Sequence, residues 1–247
     1  MKNATMHTNH NERASAVSLP KLTALFLVLE VILFMTAFRV LSNAVNWPAG
    51  LDEPASVVLP LVAQRQSAVI AGYYSYMLSA ILVIPLSLLL QRVLARENGL
   101  LLAIATTFGV LSGVMKSLGI LRWLFLMPFL ANTYVNPETT PATRETIALV
   151  YDAFNLYAGK IGEHLGTQMF TALWVGLIVI ALLRSGLVSR WIGWVGMVVA
   201  IGWLVSLVKD FGIYVGPVVF ISMTLLNIWY LTLAVGLFKL RNVKNHT

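Results

Sequence analysis

The chain has 247 residues, 58% hydrophobic and only 11% charged, with a formal net charge of +7 and a mean hydropathy of +0.81. A soluble domain carries roughly 25% charged residues, so this composition excludes a water-facing surface and makes lipid the solvent. The absence of Cys excludes disulfides, thiolate metal sites and cysteine nucleophiles.

Residues 1–20 are polar and lack the apolar stretch of a secretory signal. They read as a flexible cytoplasmic tail, with His7 and His10 a chance pair rather than a metal site. Six stretches then reach the roughly 20 apolar residues that cross a bilayer: 21–43, 67–90, 99–121, 162–184, 190–208 and 215–238. The expected fold is an all-α, six-span bundle over 21–238, with a second cytoplasmic tail at 239–247.

Span one carries Glu30 near mid-bilayer and Arg39 beyond it. A rise of about 1.5 Å per residue puts Arg39 roughly 27 Å from Lys21. Glu30 faces away from Arg39, with no Lys or Arg expected at its depth. It is then protonated, or bonded to hydroxyls and amides such as Asn227, and a proton-linked role is the alternative. Span two brings Tyr73, Tyr74 and Tyr76 into its outer half. Span three holds Lys116, about 26 Å beyond Gly99, then Arg122. The run after it, "RWLFLMPFLAN", exceeds what a span needs, and Pro128 marks a bend, a re-entrant piece or an interfacial helix.

Thr140 followed by Pro141 signals a helix start. Ile147, Val150, Phe154, Tyr157 and Ile161 recur at helical spacing, so an amphipathic helix runs unbroken into span four. That span opens with Glu163 and His164. His164, Gln168 and Thr171 fall on one α-helical stripe, with Glu163 turned away. Lys209 and Asp210 close span five. Gly109–Gly113 and Gly162–Gly166 are small-residue pairs that allow close helix approach.

Ten Lys and Arg residues fall on the side of the termini (Lys2, Arg13, Lys21, Arg92, Arg96, Arg184, Arg190, Lys239, Arg241, Lys244) and four on the other (Arg65, Arg144, Lys160, Lys209). This bias places both termini in the cytoplasm. The basic excess then belongs to anionic lipid contact rather than to nucleic acid.

Arg39, Lys116, Arg122, Glu163, His164 and Asp210 reach one layer from helices that cross in opposite directions. One reading is mutual neutralisation near the headgroups. The functional reading is an outward-facing polar pocket capped by 44–66 and 122–161, with Arg39, Tyr73, Tyr76, Lys116, Arg122, Glu163, His164, Gln168 and Asp210 on its walls. The Glu163–His164 step is expected to meet Arg39, Lys116 or Arg122. An excess of cations would favour a lipid or an anionic small molecule.

The quoted segments "NWPAGLDEPASVVL", "YYSYMLSAILVIPLSLLL", "GEHLG" leading to "TALW", and "RSGLVSRWIGWVG" make the chain resemble the bacterial membrane family called domain of unknown function 4386, over most of 20–236. The resemblance implies a six-helix bacterial inner-membrane protein and brings no activity or catalytic residue. Pro48 and Pro54, around Asp52 and Glu53, match that family's short outer loop.

No nucleophile elbow, P-loop or dinucleotide fingerprint occurs, and nothing names a cofactor. With one His in the membrane region, no His-rich zinc or bis-His haem site forms within one chain. No inverted repeat relates the two halves, which weighs against a transporter. The first functional expectation is a sensor or accessory protein that binds a small molecule or lipid. A small-solute or proton-linked transporter, and a lipid or isoprenoid enzyme using Glu163 or His164 as acid–base group, are the alternatives. A homo-oligomer or membrane partner stays open.

Overall fold

The computed structural model describes residues 18–95 and 99–240. The expectations for most of both tails and for Arg96 lie outside the described residues. Six helices are long and apolar enough to span a membrane. They are α1 (Leu19–Val45), α3 (Gln66–Val93), α4 (Gly99–Leu121) with its extension, a fourth of two parts, α8 (Arg190–Ser206) and α9 (Val218–Phe238). The fourth joins α6 (Pro141–Gly159) to α7 (Thr171–Ser185) through a π-helical stretch, Lys160–Phe170, so the amphipathic helix does run unbroken into the span.

Pro128 does not break the chain. A π-helical turn, Arg122–Leu126, links α4 to α5 (Met127–Val135), and Pro128 sits in the first turn of α5. There its missing N–H and fixed φ cost little.

The spans follow one another around a closed ring, α1 against α3, α3 against α4, α4 against α7, α7 against α8, α8 against α9, and α9 back against α1. Around the terminal half, buried Leu27, Leu86, Trp174, Ile178, Trp229 and Leu233 fill the centre. Trp229 donates its indole N–H to the Ile192 carbonyl at 3.0 Å, while the buried indole N–H groups of Trp174 and Trp203 in the same core have no acceptor among the described residues.

The half away from the termini has its own core, where α2 (Ala55–Gln64) adds Val58, Leu59 and Val62 to Trp123, Met127 and Leu130. The stretch 44–66 is therefore not one capping loop. Its second part is an apolar helix docked on α5, and only residues 46–54 remain as loop. That loop is tied down by Tyr151 and Asn155 of α6, which donate to the carbonyls of Glu53 (3.3 Å) and Leu51 (2.8 Å).

Both small-residue pairs sit at close crossings. A Cβ at Gly113 would stand 2.8 Å from the Ala80 carbonyl of α3, and one at Gly166 would stand 2.7 Å from the Lys116 backbone nitrogen. Without side chains at these points, van der Waals contact runs backbone to backbone.

Candidate functional site

The π-helical stretch Lys160–Phe170 covers the Glu163–His164 step. Widening a helix to i→i+5 bonding frees carbonyls from the ordinary ladder, and here hydroxyls take them up. Thr167 donates to Gly162 (3.1 Å), Thr171 to Gly166 (3.0 Å), and Ser112 of α4 also to Gly166 (2.9 Å). The widened turn resets which side chains share a face. Glu163, Thr167 and Gln168 all line one cavity, whereas Thr171 packs against Ser112 at 2.9 Å. The α-helical stripe His164–Gln168–Thr171 is thus not the arrangement adopted, because the segment does not keep an α-helical period.

The cavity has a volume of about 470 Å³ and lies between α1, α3, α4, the π stretch, α8 and α9. Its lid is made of residues 47–52 and 209–217 rather than 122–161. The second lid piece follows span five as "KDFGIYVGP", where Gly212 and Gly216 both take positive φ. Its Gly and Pro content was the signal in the sequence for a turn-rich cap. Exposed Asp52 and Lys209 face each other across the rim at 3.9 Å. At the same end Asp210 accepts from both Lys160 and His164.

Glu163 meets Arg122 at 3.4 Å, as expected for one of its three candidate partners. The Arg122 side chain is 5% exposed and Glu163 52%, so a buried guanidinium is neutralised by a carboxylate open to solvent. Arg122 also donates to the Gly119 carbonyl at 2.8 Å and lies 5.7 Å from the Trp123 ring centroid. Tyr73 stacks on the same Trp123 at 4.9 Å. Arg122 and Tyr73 line a recess of about 40 Å³ next to the main cavity, while Tyr76 and Lys116 border both.

Arg39 does not join this cluster. It is exposed on the α1 face that carries Leu25, Leu29, Ile32 and Met35, turned away from the bundle. Tyr74 likewise faces outward.

Glu30 is bonded to a hydroxyl, as one of its expectations had it, and it also shares a cavity wall with a basic residue that was not expected at its depth. It is buried, accepts from Ser79 at 3.0 Å, and shares the cavity wall with Lys116. Lys116 too is buried, and among the described residues its ammonium has no hydrogen-bond or ion-pair partner. Asn227 of α9 lines the same wall.

Helices of this length and apolarity, closed into a ring, define a multi-pass membrane protein with an internal cavity, largely apolar and set with a few polar groups. The chain matches the family described as domain of unknown function (DUF4386) over residues 22–239, and it belongs to that family. No curated protein and no solved structure matches it.

Proposed function

We propose that this protein binds a small molecule or lipid in the ring cavity and acts as a sensor or accessory subunit. In this reading it resides in the bacterial inner membrane with both termini in the cytoplasm, so the cavity lies near the periplasmic face. The carrying observation is a cavity of about 470 Å³ with buried Lys116 and Glu30 on its wall. Ligand sites are voids of this size, largely apolar and set with a few polar groups. The Lys116 ammonium lines this cavity without a hydrogen-bond partner among the described residues, and a ligand's acidic group supplies one.

The charge distribution supports the orientation. Lys21, Arg92, Arg184, Arg190 and Lys239 lie at the terminal end, and Arg65, Arg144, Lys160 and Lys209 at the other. Two features favour binding over the alternatives. The terminal half of the ring is packed by Trp174, Trp229 and Tyr230, each at most 1% exposed, which gives a transported solute no continuation. Glu163 and His164, the acid–base candidates, are held by Arg122 and Asp210.

The test is native mass spectrometry of protein released from membranes in mild detergent. Wild type should carry a small-molecule or lipid adduct. Met223→Trp, which fills the cavity from α9, should lose it while keeping its melting temperature. Wild type without an adduct, or an adduct indifferent to Met223→Trp, sinks the reading.

A further inference from the structure

We infer that the cavity recognises a zwitterionic head, one primary ammonium and one acidic group a few ångströms apart, an inference that rests on the binding reading above. Hydrogen-bonding capacity around the wall is unmet in both senses. On α4, Lys116 offers three N–H donors and, among the described residues, has no acceptor. On α1, Glu30 receives Ser79 on Oε1, while Oε2 is buried with no donor. On α9, Asn227 spends an amide N–H on the Met223 carbonyl at 2.8 Å, which leaves its Oδ1 buried and without a donor. Lys116 and Glu30 do not satisfy each other, since no ion pair within 4.0 Å joins them.

A simple anion would satisfy Lys116 and bring negative charge toward the oxygens of Glu30 and Asn227. A simple cation would do the reverse. A molecule with both charges satisfies all three groups.

The remaining charges point the same way. Glu163 on the wall is paired with Arg122, and Asp52 with Lys209. With Arg39 turned outward, the cation excess expected from the sequence is gone, and the interior carries one unpaired acidic group, Glu30, and one unpaired basic group, Lys116. The apolar wall, which includes Phe34, Phe220 and Leu226, suits a short hydrocarbon portion. Two sources share this chemistry, a free amino acid and a phosphoethanolamine lipid head.

Trp47 and Trp203 on the wall give a fluorescence readout. Full-length purified protein is titrated with dihexanoyl phosphatidylethanolamine, dihexanoyl phosphatidate and alanine. A zwitterionic probe should saturate wild type and phosphatidate should not. Saturation by the phosphatidylethanolamine alone assigns a lipid head, and saturation by alanine assigns a free solute. Glu30→Gln and Lys116→Met should each weaken the zwitterion about tenfold or more.

Phosphatidate binding as tightly as the zwitterions, no response to any probe, or wild-type affinity in Glu30→Gln overturns the inference. Where a single variant does not fold, Glu30→Gln/Lys116→Met, which keeps the interior neutral, takes its place, and unchanged affinity there is equally fatal. If Met223→Trp removes the native adduct while Glu30→Gln binds normally, only the zwitterion falls. If Met223→Trp changes nothing, the binding reading falls with it.

Discussion

Gly119 of α4 and Gly162 of the π stretch cross so closely that a Cβ on Gly119 would stand 2.5 Å from the Cα of Gly162. The obstacle is backbone, which cannot swing aside as a side chain can. This crossing sets the site around it, because Arg122 lies three residues beyond Gly119 and Glu163 one beyond Gly162. Gly119→Ala should therefore separate the helices and lower stability by about 1–3 kcal/mol, the range for overpacking a filled site. Gly99→Ala is the control, since among the described residues nothing lies within 4 Å of a Cβ there. Melting curves of the two variants in the same detergent check this.

The Arg122–Glu163 pair is asymmetric, and its variants should be too. Glu163→Gln leaves a buried guanidinium with the Gly119 carbonyl and the Trp123 ring but no counter-charge. Because Glu163 is half exposed, water takes part of its place, and a loss of about 1–2 kcal/mol is expected. Arg122→Leu combined with Glu163→Gln should be less damaging than the sum of the two single changes. A double-mutant cycle on melting free energies measures the difference, and strict additivity would show that the pair contributes nothing.

Arg39→Ala tests the reading of α1. The side chain is exposed beside Met35 and Ile32. Its removal should change stability by no more than about 0.5 kcal/mol, as for surface sites in general, and leave ligand occupancy unaltered. A loss of the adduct in native mass spectra would place Arg39 in the site after all.

Arg39, Lys116 and Glu30 show what a sequence can and cannot disclose here. Hydropathy and rise per residue fix which stretches cross and at what depth, and so the six spans, the unbroken entry into span four and the Glu163–Arg122 meeting were all legible. Depth says nothing about rotation about the helix axis, which neighbouring helices decide, so Arg39 could be placed at the right level and on the wrong side. Lys116 was placed by its backbone, yet helix side chains lean toward the N-terminus and lysine has a long stem. Its side chain therefore reaches the cavity wall that Glu30 also lines. The phase change after Lys160 had no specific mark, since the Gly and polar residues of "KIGEHLGTQ" fit an α-helix entering the membrane as well as a π-helical stretch. The α2 helix was hidden by Pro54 and Pro60, read as loop residues although one caps the helix and the other lies within it.

The clasp at the rim yields the last prediction. Asp210 is held by Lys160 and His164, and Lys209 faces Asp52, so ion pairs fasten the lid piece 209–217 to the π stretch and to the other lid piece. Ion pairs this exposed are each worth about 0–1 kcal/mol, so losing the shared acceptor should loosen the lid without unfolding the ring. The chain has no Cys, so Thr167→Cys introduces a unique thiol on the cavity wall. A water-soluble maleimide should label it slowly in the parent protein and several-fold faster with Asp210→Asn added, while melting shifts by about 1 kcal/mol or less. The same acceleration should follow from raising salt in the parent, because screening acts on exposed pairs first. Labelling indifferent to both Asp210→Asn and salt would show that access to the cavity does not run past this clasp.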